Sequence, residues 1–428
     1  MLYEKLINNE LISKAIHNFG WLLADKLIKL AAGFIVSIFV ARYLGPDIYG
    51  QVAYGVAYIA LFQAISNLGI DSLAVRDMAC SPQKELILVS IVKLRLLSST
   101  ICTLCALSVS TLLFDNDFVS VYIMSFAILF TIGDVIDLWF QSQSKSKITV
   151  VAKLSSYSII VLLKILAIYF LLEKYVFYIF VPLEFMLTSI FMIYALSEYG
   201  GVKFKINVFD REYVLKLLKE SWPLALSGLS IVIFMRSGSF FVERMLGYDS
   251  VGIYSVGTSL AEIIYFVPML LVTSFSPVLS KTKLIDEFEY NVLFMKLLFF
   301  MFWGCVLVVS LYGFFGYFII PYLYGHEYEN AKYVFAIQVF TLIPVAIGCC
   351  QSLWIVNEGR TKIALYQTVV GACTSVILNF ILVERFGIIG ASISTLIAQL
   401  MQSFFINYFV CKELFFYVLR SLFYKIKR

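Results

Sequence analysis

Charge is what this sequence has least of. Only 14% of its 428 residues are Asp, Glu, Lys or Arg, against 61% hydrophobic and 17% aromatic, whereas soluble domains carry about 25% charged residues. That scarcity excludes a soluble globular chain. Histidine occurs twice, at His17 and His326, both outside the apolar runs, so there is no metal-spaced cluster and no strong proton-relay candidate. There is no GxxxxGK[ST] loop to hold a nucleotide and no GxSxG elbow, which argues against ATP-driven transport within this chain. Of the eight cysteines nearly all fall inside apolar runs, and Cys102 and Cys105 form a single CxxC with no second pair. They read as small buried hydrophobes, with no metal and no cofactor expected. A cleavable signal is also missing: residues 1–18 are mixed and amphipathic, and the first apolar run is long enough to span, so it is expected to remain in the mature protein.

What is present is a series of apolar runs of about 20 residues, the length an α-helix needs to cross roughly 30 Å of hydrocarbon. Outer-membrane barrels show shorter, alternating segments instead. The spacing predicts an all-α integral membrane protein with twelve spans, near 19–42, 51–70, 88–113, 119–140, 150–172, 175–197, 219–242, 250–279, 291–320, 332–356, 363–383 and 388–411. The net charge of +5 matters less than its placement, and no nucleic-acid partner is needed to explain it. Alternate connections hold 21 basic residues, among them Arg76, Lys145, Lys203, Lys205, Arg211, Lys281 and Arg360, and the tail ends in Lys425, Lys427 and Arg428. The opposite connections hold only Lys174, Arg244, Lys332 and Arg385, with Arg42 at a helix end. The positive-inside rule therefore puts both termini in the cytoplasm.

An internal repeat divides the chain. Leu44-Gly45-Pro46-Asp47-Ile48-Tyr49-Gly50, between spans 1 and 2, returns as Leu246-Gly247-Tyr248-Asp249-Ser250-Val251-Gly252 between spans 7 and 8. The shared LGxDxxG lies at equivalent topological positions, as expected of parallel repeats related by an axis along the membrane normal. The longest polar linker, 197–213, falls midway. Two six-helix lobes are expected, an N-terminal one over 1–205 and a C-terminal one over 206–428 that ends in the basic tail.

Ionisable groups at membrane depth cost roughly 2.5–3.5 kcal/mol each on insertion scales, so each needs a reason. Asp25, Lys26 and Lys29 share the first span. Asp25 and Lys29 stand four apart, acid before base, the favourable order for an intrahelical pair. Two readings stand: a snorkelling Lys29 neutralised by Asp25, or a charged face lining a wet cavity. Arg236 sits deep in IVIFMRSGSFF and Glu262 midway through SLAEIIYFVP, where Pro268 invites a kink. Either the two pair, or the planar guanidinium meets an anionic ligand such as a phosphate. Asp134 and Asp137 share a face of span 4, and Lys164 and Glu184 occupy adjacent spans 5 and 6. Gln63, Asn67, Gln338, Gln367 and Asn379 supply amides suited to sugars.

Twelve spans in two halves also suit a major facilitator transporter, but the basic signature expected after span 2 is missing, where this chain reads DSLAVRDMACSPQKE. The residues instead resemble the polysaccharide transporter branch of the multidrug/oligosaccharidyl-lipid/polysaccharide exporter superfamily, which includes Wzx-type O-antigen flippases. The match runs through DKLIKLAAGFIVSIFVARYLGPDIYG at Asp25–Gly50, then SWPLALSGLSIVIFMR, MLGYDSVGIYS and LAEIIYFVPMLLVTSFSP, then Trp354–Glu358 and Asn379–Thr395. One departure stands out: relatives read like MRIDQ where this chain has Met235-Arg236-Ser237-Gly238-Ser239, so Gly238 replaces an acid and any cation-coupling role of that acid does not carry over.

The resemblance implies two lobes around a central cavity lined by spans 1, 2, 7 and 8, with the charged spans 1 and 7 facing each other. It implies a flippase in the bacterial inner membrane, not an enzyme. The cargo would be an undecaprenyl-pyrophosphate-linked oligosaccharide, a repeat unit of O-antigen or a related surface polysaccharide in lipopolysaccharide biosynthesis, moved to the periplasmic leaflet by alternating access. Lys26, Lys29, Arg42 and Arg236 would meet the pyrophosphate, and Asp25 and Glu262 would be the ion-coupling or pairing acids. Implied partners are the lipid-linked oligosaccharide, membrane lipids, and the polymerase and chain-length regulator of the same pathway. The alternative is a MATE-like antiporter exporting cationic drugs in exchange for Na⁺ or H⁺, which needs a cavity dominated by carboxylates. A third possibility is an assembly scaffold for polysaccharide synthesis.

Overall fold

The computed structural model describes the backbone over residues 2–113, 119–201 and 209–422, and side chains over 27–112, 119–201, 209–276 and 278–421. Lys203 and Lys205 of the linker and Lys425, Lys427 and Arg428 of the tail lie outside these ranges. Among the described residues every element is helical. Ten helices among these residues are long and apolar enough to cross a membrane. Two of these runs, Leu27–Ser66 and Lys362–Val410, contain a non-helical glycine, Gly45 and Gly387 respectively. Dividing each run at its glycine gives the twelve expected spans.

The chain forms two compact units, one of residues 1–44 and 55–225, the other of residues 45–54 and 226–428. The N-terminal unit contains most of α1 (Leu2–Ser66), then α2 (Asp71–Cys80), α3 (Lys84–Leu113), α4 (Val119–Ser125), α5 (Ile132–Ser142), α6 (Ser146–Tyr169), α7 (Val176–Tyr199) and the start of α8 (Arg211–Leu246). Ile70, Met78, Leu88, Ile91, Trp139 and Phe140 fill its core where α2, α3 and α5 meet. Lipid is as apolar as leucine, so close packing and internal hydrogen bonds, not water exclusion, hold such helices together.

The largest fully buried side chain in this unit is Arg95 of α3, 1% exposed. It donates from Nη1 to Asn67 Oδ1 and from Nη2 to Asp71 Oδ1 at 3.0 Å, while Asn67 Nδ2 donates to Asp71 Oδ2 at 3.2 Å. The three side chains close a ring that brings the α1–α2 corner onto α3. Burial lifts the Asp71 carboxyl above the usual carboxylate range, against the pull of Arg95. Nearby, Lys153 of α6 pairs with the buried Asp137 of α5 at 2.6 Å, and Gln141 donates to the same oxygen at 2.9 Å.

The C-terminal unit holds the rest of α8, then α9 (Tyr248–Ile263), α10 (Phe266–Ile285), α11 (Glu287–Tyr324), α12 (Ala331–Gln338), α13 (Leu342–Asn357), α14 (Lys362–Leu400), α15 (Asn407–Val410) and α16 (Lys412–Leu422). Residues 45–54, the first turns of span 2, belong with it. The repeated LGxDxxG explains why. Gly45 (φ 74°, ψ 169°) and Gly247 (φ 83°, ψ 175°) adopt the same conformation, one open essentially to glycine alone. Each ends one helix and starts the next, and the Asp two residues on falls in the first helical turn, where its charge complements the helix dipole. A Cβ at Gly50 would overlap the carbonyl oxygen of Tyr248, and one at Gly252 would overlap that of Pro46. Tyr248 and Pro46 are themselves equivalent positions in the two repeats. The two helix starts thus cross backbone to backbone in a reciprocal contact, with Tyr54 packed edge-on against Phe240 and Tyr248 at 5.4 and 5.6 Å.

Two outcomes follow for thermal unfolding of the purified chain in detergent. Gly50→Ala and Gly252→Ala each force backbone apart and are expected to cost about 1–3 kcal/mol, whereas Gly228→Ala, with open space around it, should be neutral or stabilising by about 0.5–1 kcal/mol; equal melting temperatures in all three would refute the close crossing. Asp71→Ala, which orphans a buried guanidinium, should lower the melting temperature more than Arg95→Met, which removes the buried charge altogether.

A candidate functional cavity in the C-terminal unit

Three helix irregularities in the C-terminal unit gather at one place. The α9–α10 chain breaks at Ile264 and Tyr265, just ahead of Pro268, which lacks the N–H that would bond the carbonyl of Ile264. The expected kink is therefore present. Residues Val339–Thr341 form a 3₁₀ turn between α12 and α13, and Met401–Phe405 form a π turn after α14. Interruptions of this kind are where polar groups are turned out of a regular helix face. The hydroxyls of Tyr265 and Thr341 bond each other and so join two of the three irregular points.

Between them lies a cavity of about 240 Å³. Arg236 reaches it from α8. Tyr254, Thr258 and Glu262 reach it from successive turns of α9, spaced by four residues on one face. Gln338 enters from α12, Thr395 and Gln399 from α14, and Gln402 from the π turn. Among the described residues Arg236 and Glu262 make no hydrogen bond and no ion pair within 4.0 Å. Their charges act on each other across the space. Gln338 Nε2 donates to the Tyr254 hydroxyl at 3.4 Å. Gln399 is 8% exposed and its side chain, like that of Gln402, makes no hydrogen bond among the described residues; Gln402 Oε1 is buried as well.

Of the expected site residues, Arg236 and Glu262 come together here, facing one cavity without closing into a contact pair. The side chains of Asp25 and Lys26 lie outside the described residues. Lys29 is half-buried in the N-terminal unit, where its backbone carbonyl accepts from Tyr157 at 3.4 Å and Glu184 senses both its charge and that of Lys164. Lys164 and Glu184, on neighbouring spans, form no ion pair within 4.0 Å. Arg42 is exposed at the end of span 1, three residues before the Gly45 break.

Three of the proposed amides have structural work instead. Asn67 is held in the Arg95 ring. Asn379 donates to Ser237 and Ser375 at 3.0 and 3.2 Å, and Gln367 donates to Gln351 and Asn407 at 3.2 and 2.7 Å, all inside the helix packing. Arg95, Tyr254, Thr395, Gln399 and Gln402 were not expected. Arg95 stands as plainly as Arg236 in an apolar run, KLRLLSS. The glutamines carry a fainter signal, a 395, 399, 402 spacing that places polar groups on one face of span 12.

Comparison with known proteins agrees with this architecture. A capsular polysaccharide biosynthesis protein, CapF, of Staphylococcus aureus is 21% identical over 408 residues, covering 92% of this chain and 98% of that protein. Among solved structures, an inward-facing multidrug resistance MATE family transporter of the MOP superfamily superposes with a TM-score of 0.70 at 16% identity, covering 90% of this chain and 95% of the other. The lipid II flippase MurJ in an inward closed conformation gives a TM-score of 0.68 at 18% identity, covering 95% and 91%. At such identities the structures speak for a shared fold. The family model for polysaccharide biosynthesis proteins matches residues 15–283, well over half the chain, and the protein is a multi-pass membrane member of that family with the fold of the MOP superfamily.

Proposed function

We propose that this protein is a flippase for undecaprenyl-pyrophosphate-linked oligosaccharide, carrying repeat units of a surface polysaccharide from the cytoplasmic to the periplasmic leaflet of the inner membrane by alternating access. The observation that carries the reading is the cavity of Arg236 and Glu262: a member of this family keeps two ionisable groups and the amides of Gln399 and Gln402 inside its C-terminal unit without a hydrogen bond or ion pair to a described residue. Such groups are expensive in a membrane and mark a polar pathway. A transporter, not a catalyst, is what this donor set suits.

The cargo has a sugar head, a pyrophosphate and a lipid tail, and only the first two need a polar path. Lys26, Lys29 and Arg42 of the first span are assigned to the pyrophosphate, where fixed cations offset its charge. Arg236 and Glu262 engage the head group from the C-terminal unit. Both termini lie in the cytoplasm on this reading, as the loop charges require, and the polymerase and chain-length regulator of the same pathway are the natural partners.

Complementation of a deletion strain tests it. Arg236→Ala and Lys29→Ala are each expected to lower surface polysaccharide at least tenfold while inserting normally, and wild-type levels in both would overturn the site assignment. In the deletion strain itself, undecaprenyl-linked repeat units should accumulate in the cytoplasmic leaflet; an assembly scaffold would not produce that block.

A further inference from the structure

The side chains of the C-terminal cavity specify more than a polar ligand. Arg236 offers up to five N–H donors and no acceptor, and Glu262 as carboxylate offers two acceptor oxygens and no donor. Gln399 and Gln402 each offer both, and none of these four side chains has a hydrogen-bond partner among the described residues. Around them stand the rings of Tyr254 and Tyr265 and the apolar groups of Ile231, Phe234 and Met269. A ligand that displaces water from these groups loses affinity unless it satisfies donors and acceptors together.

That requirement separates the available ligand classes. A phosphate is an acceptor throughout: it would take up Arg236, repel Glu262 and leave the glutamine carbonyls unmet. An organic cation meets Glu262 and is repelled by Arg236. A hydroxyl is both donor and acceptor, and a sugar ring carries several at its edge with an apolar C–H face that packs on aromatic rings. With one positive and one negative side chain, the cavity also carries no formal charge to select an ion of either sign.

We propose that this cavity is a subsite for a sugar ring of the transported head group, distinct from the place where the pyrophosphate is held, with Arg236, Glu262, Gln399 and Gln402 bonding its hydroxyls and Tyr254 or Tyr265 covering its apolar face. The inference rests on the flippase reading and divides the cargo between two sets of residues: the cations of the first span take the pyrophosphate, and the C-terminal cavity takes sugar. Its size, about 240 Å³, suits one ring or little more, so the subsite reads part of a repeat unit.

Binding to the full-length chain in lipid nanodiscs decides it, with two probes: the lipid-linked repeat unit extracted from the producing cells, and bare undecaprenyl pyrophosphate without sugar. Glu262→Gln and Gln402→Ala are each expected to weaken binding of the repeat unit at least tenfold and to leave bare undecaprenyl pyrophosphate within twofold of wild type. The unchanged bare probe also shows that the variants are folded. Lys29→Ala should weaken both probes. Equal weakening of both probes by the Glu262 and Gln402 variants would make the cavity a pyrophosphate site, and no weakening of either would remove it from the cargo path; both results overturn the subsite, while binding of both probes by the wild-type chain upholds the flippase reading on its own. A wild-type chain that binds neither probe overturns the flippase reading, and the subsite with it.

Discussion

A polar side chain inside a membrane-spanning bundle has to find its partner within the protein, and this constraint sorts the polar residues of the chain into two groups. In the first the partners are present. Arg95 is ringed by Asn67 and Asp71, Ser237, Ser375 and Asn379 bond one another between α8 and α14, and Gln351, Gln367 and Asn407 form a third knot. Many buried serines and threonines simply return their hydroxyl to the carbonyl three or four residues back, as Thr103 does to Ser99 and Ser403 to Gln399. These groups fix helix contacts where hydrophobicity cannot distinguish one neighbour from another. In the second group the partners are missing among the described residues, and four of its members, Arg236, Glu262, Gln399 and Gln402, converge on one cavity.

The helix breaks explain why they converge. A regular helix buries its own backbone and leaves side chains as the only polar currency, but each interruption turns a different set of atoms toward its neighbour. The break at Ile264 and Tyr265 follows Glu262 by two residues, the 3₁₀ turn follows Gln338, and the π turn contains Gln402. Each irregular point therefore carries one of the polar residues that line the cavity. Pro268 supplies the cause for the first of them; for the π turn in MQSFF nothing in the local sequence stands out.

The large features were legible because each has its own local signal. Spans follow from run length, and the LGxDxxG repeat follows from two glycines with different duties, Gly45 and Gly247 for a conformation closed to other residues and Gly50 and Gly252 for a crossing of backbones. The aspartate is explained as well, by its place in the first turn. Assigning polar residues to the cavity was harder, because an amide in an apolar run looks the same whether it meets another helix or open space. Asn379 and Gln367 were expected beside Gln338 as sugar contacts, yet only Gln338 lines the cavity. What separates them is the partner across the helix interface, Ser237 for one and Gln351 and Asn407 for the other, and that pairing depends on which helices are neighbours. Arg95 is hard to place from sequence for the complementary reason: its counterpart Asp71 lies 24 residues away on the other side of a turn.

The same distinction bears on the proposed role of this cavity as a sugar subsite. A lone guanidinium 4 Å from a phosphate oxygen contributes about 4 kcal/mol at an effective dielectric near 20, and a site built on that attraction alone would release slowly. With Glu262 across from Arg236 the net field is reduced, and hydroxyl contacts contribute about 0.5–1.5 kcal/mol each. Several weak, directional bonds give a grip that depends on the arrangement of hydroxyls and is lost in small steps. The glycine at position 238 does not act on Arg236 through a missing acid, because residues two apart on a helix do not face each other. Instead a Cβ at Gly238 would meet the Tyr254 hydroxyl, so the absence of a side chain lets Tyr254 close against α8 and leaves Arg236 facing the cavity with Glu262 as its counterweight.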